Sequence, residues 1–502
     1  MWININRLSI VVFLVLITNL SSYSQNKSDY NWIFGQNYTD SLAGTEGTVI
    51  NFDNEERTMR YQPIFPSQAI GNSTAVISDP ETGELLFFSN GCTIFDRTFH
   101  EMDNGDGINV GVSREYFCDQ TQTQWYPYSQ GLLIVRDPAD IDEYYLIHKE
   151  TELTADLTER YNRRILYSKV DMSLNEGKGS VIEKNVEIYD GDDLASGYLT
   201  MIPHENQRDW WLVQPKHDSN EFITILLTTE GFVEHDTQVI GDPIVGQGQA
   251  KYSPDGTMFA AHNGWDDYHL FDFDRSTGLL SNYRSLKFEL ETFGVGMEFS
   301  PSSQYTYLSR STEIFQVDNR EENLEDGLVL IDTLRTASEG FTASFGGASL
   351  APDCKIYISH LSSSRFLTVI NNPDARGLAC NIEQRGVRMP YFHDINAIPN
   401  FPHFRIDEAD ICDPTITNVW SIPVADDAAL EVYPNPTSGE TTLWTSAAVT
   451  VSLHNLHGQQ VAFYGKINGR RDVDLSSLPK GVYFVRYVTQ EGMVRNVKVM
   501  RM

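Results

Sequence analysis

Basic residues are scarce in this chain of 502 residues: 37 Lys and Arg stand against 69 Asp and Glu, a net charge of −32. A surface that acidic repels nucleic acid and anionic membranes, so neither is expected as a partner. Cysteine is also sparse, with five in all and none in a Cys-x-x-Cys pair. That removes zinc-ribbon and thioredoxin-like chemistry and leaves too few thiols for a disulfide scaffold. The sequence has no Walker A loop, no Gly-x-Gly-x-x-Gly between a strand and a helix, no Gly-x-Ser-x-Gly elbow and no His-Glu-x-x-His. Phosphate cradles, strained-turn serine nucleophiles and the commonest zinc-protease site therefore lack a sequence basis. After residue 25 no apolar run approaches the roughly 20 residues of a membrane-spanning helix.

What is present is the composition of a packed β protein: 41% hydrophobic and 12% aromatic residues, with 35 glycines. The first residues, MWININRLSIVVFLVLITNLSSYSQ, place Arg7 before an apolar run from Leu8 to Leu20 and then small polar residues. That pattern is a secretory signal peptide, expected over residues 1–24 and cut between Ser24 and Gln25. The mature chain is then an exported protein with no transmembrane segment. Export permits one or two disulfides. Cys354 and Cys380 flank one repeat unit and form the favoured pair, Cys92 with Cys118 comes second, and Cys412 is left over.

The repeats are carried by turns. KYSPDGTMFAAH (251–262), EFSPSSQYTYLS (298–309) and SLAPDCKIYISH (349–360) each set a proline-led turn between two apolar, alternating flanks. Their prolines lie 47 and 51 residues apart. Proline fixes φ at the turn, and Gly or a small polar residue relieves the positions after it. Similar hairpins start near 74, 131 and 199. Units of about 40–50 residues, each a four-stranded antiparallel sheet, are the mark of a β-propeller, because so small a sheet buries both faces only between neighbours. Six blades are marked between about 72 and 390. The strands NWIFGQN and GTVINFD near the N-terminus lack partners of their own, and pairing with a strand near 400–408 would make a seventh blade and close the ring. The fold expected is all-β: a propeller of seven blades, with six as the alternative, over residues 25–408. A linker follows at 409–430, and a small β-sandwich over 431–502. This last segment carries eight Lys/Arg against five Asp/Glu, so the acidic excess belongs to the body.

YPNPTSG (433–439), LHNLHGQQV (453–461), DLSSLPKGVYFVRY (474–487) and a basic terminal strand together resemble the type A C-terminal sorting domain of cargo exported by the type IX secretion system. The matching motif positions are Pro434, Asn435, Pro436, Gly439, Lys480 and Gly481. The resemblance implies recognition by the type IX machinery and delivery to the outside or the outer-membrane surface of a Gram-negative bacterium. In the body, WIFGQN, ISDPETGELLFFSNG, YSPDGTMFA, FDFDRSTGLLSN, GMEFSPSS and APDCKIYIS resemble the propeller half of large surface proteins of gliding bacteria. Cys354 stands where that turn usually takes glycine, which puts the turn's geometry in doubt.

Chemistry-bearing residues are few. EMDNGDGINVG gathers Asp103, Asn104 and Asp106 among glycines, and these hard oxygen ligands are the candidates for calcium, the one cofactor considered. The spacing misses the EF-hand pattern, and a plain hairpin turn explains it equally. Asp266, Asp267 and His269 form a second acidic turn, more simply a solvated one. Of Trp210 and Trp211, one is expected between blades and one near the surface, where it could stack on a sugar. His100, His148, His204, His217 and His262 follow strand ends and would matter only if they converged on one funnel. No catalytic residue is assigned. The leading expectation is a binding module for a glycan or a surface protein. Its alternatives are a propeller enzyme (lyase, lactonase or glycosidase) and a structural subunit of the secretion or gliding apparatus.

Overall fold

A computed structural model describes residues 26–406 and 430–501, apart from 36–45, 53–56, 64–69, 72–73, 121–125, 127–129, 154–159, 192, 266, 290–291, 293–294, 336–343, 394–395, 434, 436, 456–458 and 489–493. The signal peptide with its Ser24–Gln25 cut, and the linker up to residue 429, lie outside the described residues.

Seven antiparallel units follow one another in the body. Blade 1 holds Asn31–Phe34, Glu46–Phe52 and Arg57–Pro63. Blade 2 runs Ala75–Ser78, Leu85–Ser89, Thr93–Asp96 and Glu101–Asp106. Blade 3 is Leu132–Arg136, Glu143–Leu153, Arg160–Asp171 and Ser180–Asp190. Blade 4 is Met201–Pro203, Trp210–Pro215, Ser219–Thr228 and Gly231–Ile244. Blade 5 is Gln247–Tyr252, Met258–Asn263, Asp267–Asp274 and Leu279–Lys287. Blade 6 is Val295–Phe299, Tyr305–Arg310, Glu313–Asp318 and Val329–Thr333. Blade 7 is Phe345–Leu350, Ile356–His360, Ser364–Ile370 and Ile382–His393. The outer strands of blades 2 and 3 also meet, in a parallel pairing of Asp103 with Ser180.

The hydrophobic cores lie between blades and trace the ring. Phe87 and Ile94 meet Tyr144 and Leu146 between blades 2 and 3; Ile147 and Ile165 meet Trp210 and Leu212 between blades 3 and 4. Trp211 and Phe222 pack on Phe259 and Phe271, and Tyr268 and Leu270 on Met297 and Leu308. Tyr307 and Ile314 face Ile356 and Ile358 across the blade 6–7 junction. The last cluster joins Tyr357 and Leu367 of blade 7 to Trp32 and Phe34 of blade 1 and on to Val76 and Phe88 of blade 2. Six clusters therefore link seven blades into a closed ring, so the count is seven.

Strand periodicity explains why both faces are apolar. Neighbouring residues point to opposite faces of a sheet, so Phe87 serves the core toward blade 3 while Phe88 serves the core toward blade 1. Closing the ring buries the apolar blade faces between neighbours.

The three proline-led turns occupy equivalent positions, each joining the first and second strands of its blade. Gly256 N donates to Ser253 O at 2.8 Å, Ser303 N to Ser300 O at 2.8 Å, and Cys354 N to Ala351 O at 2.9 Å. The last residue of each turn is left-handed, at φ +72°, +63° and +62°. Cys354 thus keeps the turn that glycine would make, at the steric cost of a Cβ in that region.

Two expectations are corrected. The strands near the N-terminus pair with each other, Asn31 opposite Asn51 through Phe34 opposite Thr48, and then with Arg57–Pro63. The late segment 397–406 forms no strand; it lies on the axis instead. Secondly, Cys354 and Cys380 are not bridged. Cys380 is a free thiol buried in the core between blades 6 and 7, whereas Cys354, disulfide-bonded itself, sits in a turn. A bridge does join Cys92 to Cys118, with Cα atoms 5.7 Å apart, and it pins the connection from blade 2 to blade 3. Arg114 helps hold that connection by donating to Cys92 O and Ile108 O at 2.8 Å each.

The C-terminal unit has its own core, with Leu443, Val451, Leu453, Val485, Tyr487 and Val499 buried together. Its long second strand, Glu440–Asn455, pairs with Leu430–Tyr433, Gln460–Asp474 and Gly481–Val488, and Val494–Arg501 completes one five-stranded sheet.

Candidate functional site at the propeller axis

The inner strands approach closely at the axis. A Cβ added to Gly296 would fall 2.2 Å from Gly346 O on the inner strand of the next blade, and one on Gly248 would fall 2.1 Å from His262 O on the adjacent strand of its own blade. Only glycine allows that packing.

Residues 396–406 run along this axis. Asn396 N donates to His360 O at 2.8 Å, and its side-chain oxygen accepts from Gly347 N. Further along, Asn400 N donates to Thr74 O at 3.2 Å, while its Nδ2 donates to Leu132 O at 2.9 Å and Leu199 O at 2.8 Å. Its Oδ1 accepts from Gln130 Nε2 at 3.1 Å. Gln130 in turn reads the backbone of Ala250 in both directions, at 2.8 and 2.9 Å. Gln249 does the same for Ala348 and also accepts from Met297 N. These three amides link backbone groups of blades 3, 5, 6 and 7 with those just before blades 2 and 4.

Charges meet one layer on. Lys251 Nζ lies 3.2 Å from Glu298 Oε2, and both side chains are buried. Glu298 also accepts from Phe299 N and Leu350 N at 3.0 Å. Burial pushes its carboxyl above the usual range, opposed by Lys251. His403 Nε2 stands 3.7 Å from Glu298 Oε1. Burial, with help from Lys251 and Arg405, lowers the pKa of His403 to about 3, so it is neutral at pH 7. Phe404 packs against three of the interblade cores, and Ile406 enters a fourth. Arg405 closes the assembly with a paired ion contact to Asp29, Nη2 to Oδ2 at 2.8 Å, tying the end of the axial segment to the start of the ring. The axis is thus filled by the chain itself.

The sequence-based candidates do not assemble into one site. Asp103 Oδ2 accepts from Ser180 Oγ at 2.8 Å, Asn104 Oδ1 from Lys184 Nζ at 2.9 Å, and Asp106 Oδ1 from Arg114 at 3.1 Å. One oxygen of each of these residues accepts from a protein donor, and the three lie on a strand rather than in a hairpin turn. Among the described residues no group of three or more His, Cys, Asp or Glu is placed to hold a metal. Asp266 lies outside the described residues, and His269 is buried with Nδ1 3.0 Å from Tyr283 Oη. Trp210 and Trp211 are both buried, one in the core toward blade 3 and one in the core toward blade 5, so neither is at the surface. The five histidines at strand ends scatter over blades 2 to 5. His148 and His262 are buried, and His100 and His217 are exposed.

Sequence reasoning missed Lys149. It is fully buried, with Nζ donating to Ala195 O and Gly197 O at 2.5 Å. Burial brings its pKa down to about 7. Nothing in HKE, a run of polar residues within a strand, marks it as interior.

Buried histidines make a testable prediction. Burial lowers His148 and His403 to about 3 and His269 and His360 to about 4. Each is neutral when folded but takes a proton when unfolded below about pH 6.5. Stability is therefore lost as pH falls from 6.5 toward 4, by about 2 kcal/mol per histidine at pH 5. Glu150 and Glu298, raised by burial, work the other way but are fewer. The melting temperature at pH 5 should fall several degrees below that at pH 7; an unchanged value would contradict the burial of these four rings.

In the C-terminal unit, Asn435 Oδ1 accepts from Met500 N at 2.9 Å and its Nδ2 donates to Lys498 O at 2.7 Å. Thr437 N donates to Met500 O at 2.8 Å. Asn435 and Thr437 therefore cover the edge of the last strand. Gly439 is required by close approach, since a Cβ there would lie 2.3 Å from Ser476 Oγ. After Lys480 and Gly481, Tyr483 Oη donates back to Pro479 O at 2.7 Å. Pro434 and Pro436 lie outside the described residues.

Residues 431–500 match the family described as a secretion system C-terminal sorting domain. The chain is therefore cargo of the type IX secretion system, with that machinery as a partner. It is a secreted or cell-surface protein of a Gram-negative bacterium, made of a propeller and a sorting domain. No helix among the described residues is long and apolar enough to cross a membrane. Solved structures with similarity include a protein from Lactobacillus plantarum, at 13% identity over 80% of this chain and 98% of that one, TM-score 0.34. A candidate 6-phosphogluconolactonase from Bacteroides fragilis shows 9% identity over 73% and 97%, TM-score 0.37. Kluyveromyces lactis Hsv2 shows 11% over 68% and 93%, TM-score 0.37. No curated protein matches the sequence.

Proposed function

We propose that the protein is a binding module of the cell exterior: residues 25–408 engage a glycan or another surface protein, and residues 431–502 serve as the export address. The observation that supports this reading is the occupied axis. Propeller catalysis usually uses acid and base groups that converge in an open central cavity. Here the ionisable groups at the axis, Lys251, Glu298 and His403, are buried against one another beside segment 396–406. The blade surfaces remain for recognition. The test is a glycan array and a pull-down from outer-membrane extracts, both with the full mature chain. Specific retention of a glycan or a surface protein is expected. Retention of neither, with lyase, lactonase or glycosidase turnover by the same preparation, would overturn the reading.

A further inference from the structure

Blade 7 departs from the charge pattern of the body. Residues 361–393 hold four arginines, no lysine, and only Asp374 and Glu383 as acids. Asp374 is engaged elsewhere, accepting from Ser302 N at 2.9 Å and from Ser302 Oγ. Three of the arginines lie over aromatic rings. Arg385 Cζ is 5.1 Å and Arg388 Cζ 5.9 Å from the centre of Phe366, and Arg365 Cζ is 4.5 Å from the centre of Phe392. Arg388 is the register partner of Phe366 across the two outer strands.

Among the described residues none of these three guanidiniums pairs with a carboxylate. Arg114, Arg164, Arg208, Arg284, Arg320, Arg335 and Arg405 all do. Arg385 and Arg388 share one ring, Phe366, on one face of blade 7. A bulge helps place them. The register slips between Leu367 and Val369, and Arg385 sits there at φ +63°. The left-handed region is disfavoured for a non-glycine residue. Bulges of this kind re-aim a side chain. Gly386 follows, and a Cβ on it would lie 2.8 Å from Val369 Cγ2, so the bulge is packed tightly from behind. Phe392 and Arg388 are exposed on the outermost strand, Phe392 to 48%.

We propose that this outer edge of blade 7 binds an anionic polysaccharide, one bearing sulfate or uronate groups, through Arg385 and Arg388, with Arg365 on the opposite face of the blade contributing less. The inference rests on the reading of the protein as a binding module and names its ligand class. Guanidinium forks match the paired oxygens of sulfate and carboxylate. Contact with a ring steadies a guanidinium without using its N–H donors. A repeating polyanion engages several forks at once, whereas a single anion would engage one. The acidic remainder of the body does not prevent this at physiological salt, where charges more than about 8 Å away are largely screened.

The test uses the full mature chain and the pair R385N/R388Q. Asn is chosen at 385 because it tolerates the left-handed backbone. Heparin and polygalacturonate are the immobilised probes, neutral dextran is the control, and polyglutamate is a competitor, all at 150 mM salt. Wild type should bind one or both polyanions but not dextran. The double variant should bind at least tenfold more weakly with an unchanged melting temperature, and R365Q should weaken binding less. Equal binding by the variant, no retention on either polyanion, or displacement by polyglutamate as efficient as by the free polysaccharide would each overturn the proposal. Variant-insensitive binding of a neutral glycan or a surface protein would overturn this site while leaving the binding-module reading standing.

Discussion

Lys251→Met should destabilise the protein by about 3–5 kcal/mol, the cost of leaving a buried charge without its partner. Lys251 and Glu298 stand 3.2 Å apart with neither exposed to solvent. Among the described residues, removing the ammonium leaves a carboxylate with Phe299 N and Leu350 N as its donors and the neutral His403 ring 3.7 Å away. Glu298→Gln added to that variant should restore much of the loss, because the uncompensated charge is then gone. The pH dependence carries a sign. In K251M the carboxyl of Glu298 rises further, so the folded state takes up a proton before the unfolded chain does. Its deficit relative to wild type should then shrink as pH falls through the raised value. Urea unfolding of wild type, both single variants and the double variant measures the coupling. A loss under 1 kcal/mol, or strict additivity of the two substitutions, would contradict a buried axial ion pair.

Asn400→Leu should cost a similar amount for a different reason. Leucine keeps asparagine's branched shape, though it is bulkier, but cannot donate to Leu132 O and Leu199 O or accept from Gln130 Nε2. A buried polar group left without a partner costs about 1–3 kcal/mol, so the two carbonyls together should cost about 2–6 kcal/mol. The effect should be cooperative across the ring, because these carbonyls belong to blade 3 and to the approach to blade 4, while Asn400 N reaches the approach to blade 2. A single unfolding transition of the propeller at lower denaturant is expected. Loss confined to the final segment, with the ring's midpoint unmoved, would show that Asn400 is peripheral.

How legible all this was in the sequence differs by element. The propeller was readable because its hairpins repeat: the turns at 253–256, 300–303 and 351–354 share one hydrogen bond and one left-handed last residue. The doubt over Cys354 dissolves there, since the geometry belongs to the turn and not to glycine alone. The sorting domain was readable from short motifs whose residues act locally, such as Asn435 on the last strand and Tyr483 on Pro479. The axial segment was not. IPNFPHFRI has no period of two, because a chain that touches several blades in turn presents each side chain to a different neighbour. The disulfide was misassigned for a related reason: flanking a repeat says nothing about whether two side chains share an environment, and Cys380 faces a core. Lys149 and Glu298 read as strand surface, and only the ring buries them. Arg385 and Arg388 sit in an ordinary-looking strand whose bulge sequence does not announce itself.

Hydrogen exchange of residues 396–406 tests the sealed axis most directly. If that segment is the core of the ring, the amides of Asn396 and Asn400 should exchange as slowly as those of Ala250 and Met297 in the inner strands, opening only with global unfolding. Exchange within seconds, at the rate of an unstructured linker, while the inner strands stay protected, would contradict it.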